Sequence, residues 1–198
     1  MTAYLNACLV KAEALARKAH AGQVDKAGQP YFLHVETVSQ RAGAIVQRWP
    51  AASPAFLLKA KIVGFLHDIV EDTDVTLSAL RRYGVPSDCI LAIERLTKSK
   101  EVSYQDYLAR MKQNKLASVV KIADMTHNSD VTRLARVTEE DRIRQQKYCD
   151  AIEYLSDFTC ERCRRAFPLA EMGEEVKDGK ILCRGCQNQD GSFNMLLM

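Results

Sequence analysis

Apolar residues recur at helical spacing along most of the chain. Leu5, Cys8, Leu9, Ala12, Leu15, Ala16 and Ala19 share one stripe that ends before Gly22, the pattern of an amphipathic helix. A loop through Gly22, Gly28 and Pro30 leads to a second helix from about His34 to Trp49, stopped by Pro50. Ser53-Pro54 joins a capping residue to a proline suited to the first helical position. It opens a buried helix carrying Phe56, Leu57, Ile62, Val63, Phe65 and Leu66, with His67, Asp68, Glu71 and Asp72 at its C-terminal end. Further helices are expected over 77–83, closed by Gly84, over 87–97 and over 103–113. One over 115–130 carries Asp124, and a last helix begins at Thr138, where Thr138 and Asp141 make a capping-box pattern, and runs through Leu155. Strand-like alternation is nearly absent. The prediction is an all-α domain over 1–156, with no internal repeat and no low-complexity tract.

Residues 157–198 break this pattern through their cysteines. Cys160 and Cys163 form one Cys-x-x-Cys, and after 19 residues Cys183 and Cys186 form another, the spacing of a four-thiolate zinc site. Four thiolates leave no open position for a substrate, so this zinc is expected to be structural, and so short a segment needs its metal to fold. A disulfide pair is the competing reading, disfavoured by a cytoplasmic setting. Cys8, Cys89 and Cys149 stand alone in helical stretches and read as reduced core residues.

Charge narrows the function classes only a little. A net charge of +3, spread along the chain, demands neither nucleic acid nor an anionic membrane. Around the cysteines Arg162, Arg164, Arg165 and Arg184 are offset by acidic residues, six basic against seven acidic from Asp157 onward, so a protein contact is favoured there over nucleic acid. The absence of a long apolar run or a signal-peptide core makes the cytoplasm the expected compartment.

Four segments carry the candidate chemistry: Tyr31-Phe32-Leu33-His34, His67-Asp68, Glu71-Asp72 and Lys121-Ile122-Ala123-Asp124. Two imidazoles with two carboxylates suit a divalent metal such as manganese, and the spare carboxylate pair can activate water against a phosphoryl group. His67 and Glu71, like Asp68 and Asp72, are four apart and share a helical face; Asp124 and Asn128 repeat the device. Each residue alone has an ordinary explanation, a satisfied core histidine or a solvated acid. Four adjacent ionisable groups ending an apolar helix would instead be costly to desolvate without a metal or partners. His20 and His127 read as structural, hydrogen-bonding beside the site.

Ala19-His20-Ala21-Gly22-Gln23 with Lys26-Ala27-Gly28-Gln29-Pro30-Tyr31-Phe32-Leu33-His34 resembles the first block of HD-domain phosphohydrolases of the RelA/SpoT-homologue and small alarmone hydrolase type. Phe65-Leu66-His67-Asp68-Ile69-Val70-Glu71-Asp72-Thr73 resembles the central block, and Val120-Lys121-Ile122-Ala123-Asp124 through His127-Asn128 the third. The resemblance covers about residues 1–155 and implies an HD-domain helical fold with a small zinc-ribbon-like appendage. It implies one Mn2+ held by His34, His67, Asp68 and Asp124, with Glu71 and Asp72 positioning and deprotonating the attacking water. The implied substrate is guanosine tetra- or pentaphosphate, cleaved at its 3′-diphosphate to GDP or GTP and pyrophosphate. Lys26 and Asn128 match nucleotide-pocket positions, and Arg142, Lys147 and Tyr148 are further candidates for the phosphates.

Departures from the family pattern bear on the substrate. Asp25 stands where the family carries a basic residue that stacks on guanine, Val35 replaces a proline and Met125 a basic residue. A carboxylate makes no cation–π contact and is expected to repel phosphate, which leaves an adenine alarmone open. The other readings are an HD-type nucleotidase or phosphatase acting on another nucleotide such as NADPH, and a non-catalytic nucleotide sensor signalling through the zinc module.

Overall fold

A computed structural model describes residues 1–49, 52–159 and 166–172. Within them nine α-helices follow one another: α1 Thr2–Ala19, α2 Tyr31–Gln47, α3 Pro54–Leu66, α4 Ile69–Asp72, α5 Leu77–Tyr83, α6 Ser87–Leu96, α7 Tyr104–Lys112, α8 Lys115–Asn128 and α9 Glu139–Ser156. The described β structure includes an antiparallel hairpin, β1 Asp157–Thr159 with β2 Ala166–Pro168, and a bridge between Val24 and Pro30. The architecture is all-α, as the periodicity predicts, and no described helix is long and apolar enough to cross a membrane.

Helix ends are set by local chemistry. Ser53 Oγ accepts the Phe56 N–H at 3.1 Å with Pro54 at the first helical position. Gly84 closes α5 in the left-handed conformation, φ 86°. At α9 the expected capping box is present: Thr138 Oγ1 accepts from Asp141 N at 3.2 Å, and Asp141 Oδ2 accepts from Thr138 N at 3.0 Å. The second helix starts at Tyr31, three residues before the expected His34, because Pro30 presets the entry and the loop before it is tied off by Asp25 N to Gln29 O at 2.8 Å.

α3 is the central element, with Ala60, Ile62, Val63, Gly64, Phe65 and Leu66 all buried. It packs against Leu5 and Ala16 of α1, Val35, Val38 and Ala42 of α2, and Val119, Val120 and Ala123 of α8, all buried as well. Each fully buried Leu, Ile or Val contributes about 1.5–3 kcal/mol. Gly64 makes the closest crossing possible: a Cβ there would lie 2.5 Å from the Ser39 Cα of α2. One turn beyond that crossing stands His67, so the packing of α3 on α2 brings it beside His34.

α3 does not run on through the acidic residues. It stops at Leu66, and a turn at His67 and Asp68 separates it from α4. His67 Nδ1 donates to the Gly64 carbonyl at 2.9 Å, occupying an acceptor that a continuous helix would offer to the Asp68 N–H. Asp72 N still bonds Asp68 O at 2.8 Å, so the four-residue spacing of that pair survives.

The segment after α9 packs on the helices. Phe158, Leu169 and Met172 are buried, and Lys115, itself buried at the start of α8, donates Nζ to Ala170 O at 3.3 Å and Met172 O at 2.5 Å. Cys160, Cys163, Cys183 and Cys186 lie outside the described residues. Cys8 and Cys89 are buried as expected; Cys149 is exposed, because α9 buries only Ala151 and Leu155 and turns its other faces outward.

Candidate metal centre

His34 in the first turn of α2, His67 after α3, Asp68 before α4 and Asp124 on α8 converge from four separated segments. His34, His67 and Asp124 offer ligand atoms within 4.8 Å of one another. Asp68 Oδ2 lies 3.5 Å from His34 Nε2 and 2.9 Å from His67 Nε2, and Asp124 Oδ1 lies 3.4 and 3.8 Å from the same two nitrogens. The structure therefore brings together all four residues singled out as metal ligands.

Hydrogen bonds behind these residues aim them. His67 gives its Nδ1–H to Gly64, which leaves Nε2 as the lone-pair nitrogen facing the carboxylates. That buried Nε2 has no hydrogen-bond partner among the described residues. An acceptor nitrogen turned on two carboxylates is repelled unless a cation stands between them. Burial disfavours a proton there, yet Asp68 and Asp124 outweigh it and push the His67 pKa up to about 10. The place is built for positive charge, and a donor set of two imidazoles and two carboxylates fits a divalent metal.

Asp124 is held on both sides. Lys121 Nζ lies 2.8 Å from its Oδ2, and Asn128 Nδ2 donates to its Oδ1 at 2.6 Å. Burial opposes its ionisation, but Lys121 first and then His34 and His67 hold its carboxyl well below the usual carboxylate range. Tyr31 donates its hydroxyl to Asp68 Oδ2 at 2.6 Å, and its ring packs between His20 and His34 at centroid distances of 5.0 and 5.1 Å. His127 faces His34 nitrogen to nitrogen, Nδ1 to Nδ1 at 2.8 Å. His20 Nδ1 donates to Gln23 Oε1 at 2.7 Å, and Gln23 in turn donates to the Asp72 carbonyl at 2.9 Å. The supporting roles expected of the two histidines match these contacts.

The acidic pair divides its attention. Asp72, exposed like Glu71, is linked electrostatically to the cluster: partial burial and the Asp68 carboxylate push its pKa up, against the opposing pull of Tyr31, His20 and His67. Glu71 is exposed and its Oε2 accepts the Lys98 N–H at 3.1 Å.

A cleft of about 280 Å³ opens beside the centre, and His34 and Tyr31 form its inner wall. Lys26, Asn128 and Tyr148, three of the five residues expected to contact a substrate, line it. Arg142 and Lys147 do not: Arg142 is exposed elsewhere on α9, and Lys147 Nζ sits 3.8 Å over the Tyr104 ring in a separate groove. Arg133 and Arg144 take their place in the cleft, and neither is signalled by local sequence. Asp25 also lines it, but as no bare negative charge. Its Oδ1 accepts from Ala27 N and Gln29 N, each at 2.9 Å, and its Oδ2 is bonded by Arg133 Nη2. The repulsion of phosphate expected from Asp25 is therefore offset by its own guanidinium partner.

Known proteins are similar to this chain in sequence and in fold. A "GTP pyrophosphokinase" of Streptomyces coelicolor is 31% identical over 150 residues, covering 68% of this chain and 16% of that protein. The "Bifunctional (p)ppGpp synthase/hydrolase SpoT" of Escherichia coli is 25% identical over 154 residues, covering 70% and 20%. The chain thus spans about a fifth or less of the length of these relatives. A solved structure described as a metazoan ortholog of SpoT that hydrolyzes ppGpp superimposes with a TM-score of 0.60 at 20% identity, covering 83% of this chain and 90% of that one, which shows a shared fold. Residues 31–129, half of the chain, match the HD domain, and that span holds His34, His67, Asp68 and Asp124. By that match the chain belongs to the HD domain family.

Proposed function

We propose that this chain hydrolyses the 3′-diphosphate of guanosine tetra- and pentaphosphate to GDP or GTP and pyrophosphate, with Mn2+ held by His34, His67, Asp68 and Asp124. The observation that carries the reading is the double place of His34. Its Nε2 joins the carboxylate cluster while its ring walls a cleft lined by Lys26, by Arg133 paired with Asp25 and by Arg144 paired with Asp141, so phosphates at the metal would extend past Lys26 and guanidinium groups that already have carboxylate partners. The relatives include a (p)ppGpp synthase/hydrolase, which supports the same substrate class.

A bound divalent ion would polarise the phosphoryl oxygens and make a nearby water more acidic. Asp72, with its pKa raised by burial and by Asp68, is suited to take a proton from that water, and Glu71, braced by the Lys98 amide, orients it. The water oxygen bonds the phosphorus next to the ribose, the bond from that phosphorus to the 3′ oxygen breaks, and the 3′ oxygen gains a proton. Lys26 and Arg144 offset phosphate charge, while Asn128 and Tyr148 contact the nucleotide. Asp25, engaged by two backbone amides and by Arg133, makes no cation–π contact with guanine, so an adenine alarmone is the alternative substrate to test in the same cleft.

Residues 157–198 form in this reading a separate zinc-binding module, with a structural Zn2+ on Cys160, Cys163, Cys183 and Cys186 and a protein contact as its role. A nucleotide substrate is in keeping with a cytoplasmic enzyme. Incubation of the purified protein with Mn2+ and guanosine tetraphosphate, followed by anion-exchange separation, tests the assignment. Pyrophosphate and GDP support it; orthophosphate points to an HD-type phosphatase, and an intact bound nucleotide to a sensor.

A further inference from the structure

We propose that Arg133 is a positioning residue of the metal centre: pinned by Asp25 and donating to His127, it fixes the imidazole that orients His34 and so keeps His34 Nε2 turned toward the metal. The proposal rests on the metal-centre part of the function given above, and not on the identity of the nucleotide.

The Nδ1 to Nδ1 contact of His34 and His127 at 2.8 Å holds one proton between two nitrogens. If His34 carries it, His34 Nε2 keeps its lone pair and can bind a metal. If His127 carries it, His34 becomes the acceptor at Nδ1, its remaining proton moves to Nε2, and it can no longer serve as a ligand. Something must choose between these arrangements. Arg133 Nη1 lies 3.4 Å from that same His127 Nδ1 and donates to the His127 carbonyl at 3.2 Å. A guanidinium has donors only, so a nitrogen facing it must present a lone pair. His127 Nδ1 is thereby fixed as an acceptor, and the shared proton falls to His34.

Arg133 is itself fixed from the opposite side. Its Nη2 bonds Asp25 Oδ2, and Asp25 is locked by the Ala27 and Gln29 amides of the loop that turns at Gly28, φ 74°. The pair joins positions 108 residues apart, and side chains of both line the cleft. A continuous chain of contacts thus runs from the loop walling the cleft, through Asp25, Arg133 and His127, to the metal ligand His34. Asp25, the residue that departs from the family pattern, is here the anchor of a metal ligand's support.

Titration calorimetry with Mn2+ alone, on the full-length protein without nucleotide, tests this, with circular dichroism and thermal melts checking the fold of each variant. Arg133→Ala is expected to weaken Mn2+ binding about 10- to 100-fold, the usual cost of losing a group that orients a ligand. Asp25→Asn should weaken it less, and the double variant should be no weaker than Arg133→Ala, because both act through one chain of contacts. His127→Asn, which keeps an acceptor oxygen near the place of Nδ1, should bind Mn2+ at least about tenfold more tightly than His127→Leu. Mn2+ affinity within about twofold of wild type in Arg133→Ala, or equal losses in His127→Asn and His127→Leu, overturns the proposal. Should Arg133→Ala fail to fold, Arg133→Met, which keeps the apolar stem without the guanidinium donors, takes its place under the same criterion of about twofold. No nucleotide is present, so failure here leaves the alarmone assignment untouched, and failure of that assignment leaves this result readable.

Discussion

His67 Nε2 stands 2.9 Å from Asp68 Oδ2 and, while it carries no proton, has no hydrogen-bond partner among the described residues. A cation must hold the pair together, and without metal that cation is a proton. The folded pKa of His67, pushed up to about 10, exceeds its ordinary 6.5. Its contribution to the stability of the metal-free protein is therefore fully present below about 6.5 and is lost as pH rises toward about 10. Metal and proton compete for one nitrogen, so Mn2+ affinity should rise about tenfold per pH unit for each proton displaced. Calorimetry between pH 6.5 and 8.5, with proton release read from buffers of different ionisation enthalpy, checks this; pH-independent binding would mean His67 is no ligand.

Gly64 is where the α2–α3 packing is most sensitive. Gly64→Ala puts a methyl against the Ser39 backbone, which cannot yield as a flexible side chain would, and should cost about 1–3 kcal/mol. Since His67 bonds the Gly64 carbonyl, the same change should weaken Mn2+ binding. Urea denaturation and a metal titration on one preparation separate the two effects, and a variant as stable as wild type would show that α3 can slide on α2.

Asp72 should set the alkaline-rising limb of the rate. A base works deprotonated, and burial with Asp68 raises its pKa, so kcat/KM should climb with pH through that raised value. Asp72→Asn should lower kcat about 10²- to 10⁴-fold with Mn2+ affinity little changed. Steady-state kinetics across pH decides it, and turnover unaffected by Asp72→Asn would remove the residue from the mechanism.

Lys115 pins the segment after α9. Lys115→Met keeps its apolar stem but leaves the Ala170 and Met172 carbonyls without their ammonium donor, at a cost of about 1–3 kcal/mol. Limited proteolysis should then cut faster beyond residue 156, and an unchanged cleavage rate would show that Leu169 and Met172 hold the segment unaided.

The helices and the four ligand residues were legible because both are written locally, in apolar periodicity and in short motifs. Long-range pairing was not. Asp25 alone reads as a repulsive charge, and no local pattern reveals that Arg133, 108 residues on, neutralises it. The sequence points to Arg142 and Lys147 and not to Arg144 for a related reason. α9 buries only Ala151 and Leu155, near its end, so its first turns carry no apolar stripe to say which basic residues face α8. The break at His67 was hidden because the ring that interrupts the helix bonds a backbone carbonyl, Gly64, and the four-residue spacing of Asp68 and Asp72 persists across it.

The central claim is attack of water on the phosphorus next to the ribose, and its most direct test is turnover of guanosine tetraphosphate with Mn2+ in ¹⁸O-labelled water, read by mass spectrometry. One ¹⁸O atom in pyrophosphate and none in GDP is the predicted result. Label in the nucleoside 3′-hydroxyl, labelled orthophosphate, or substrate left intact would contradict it.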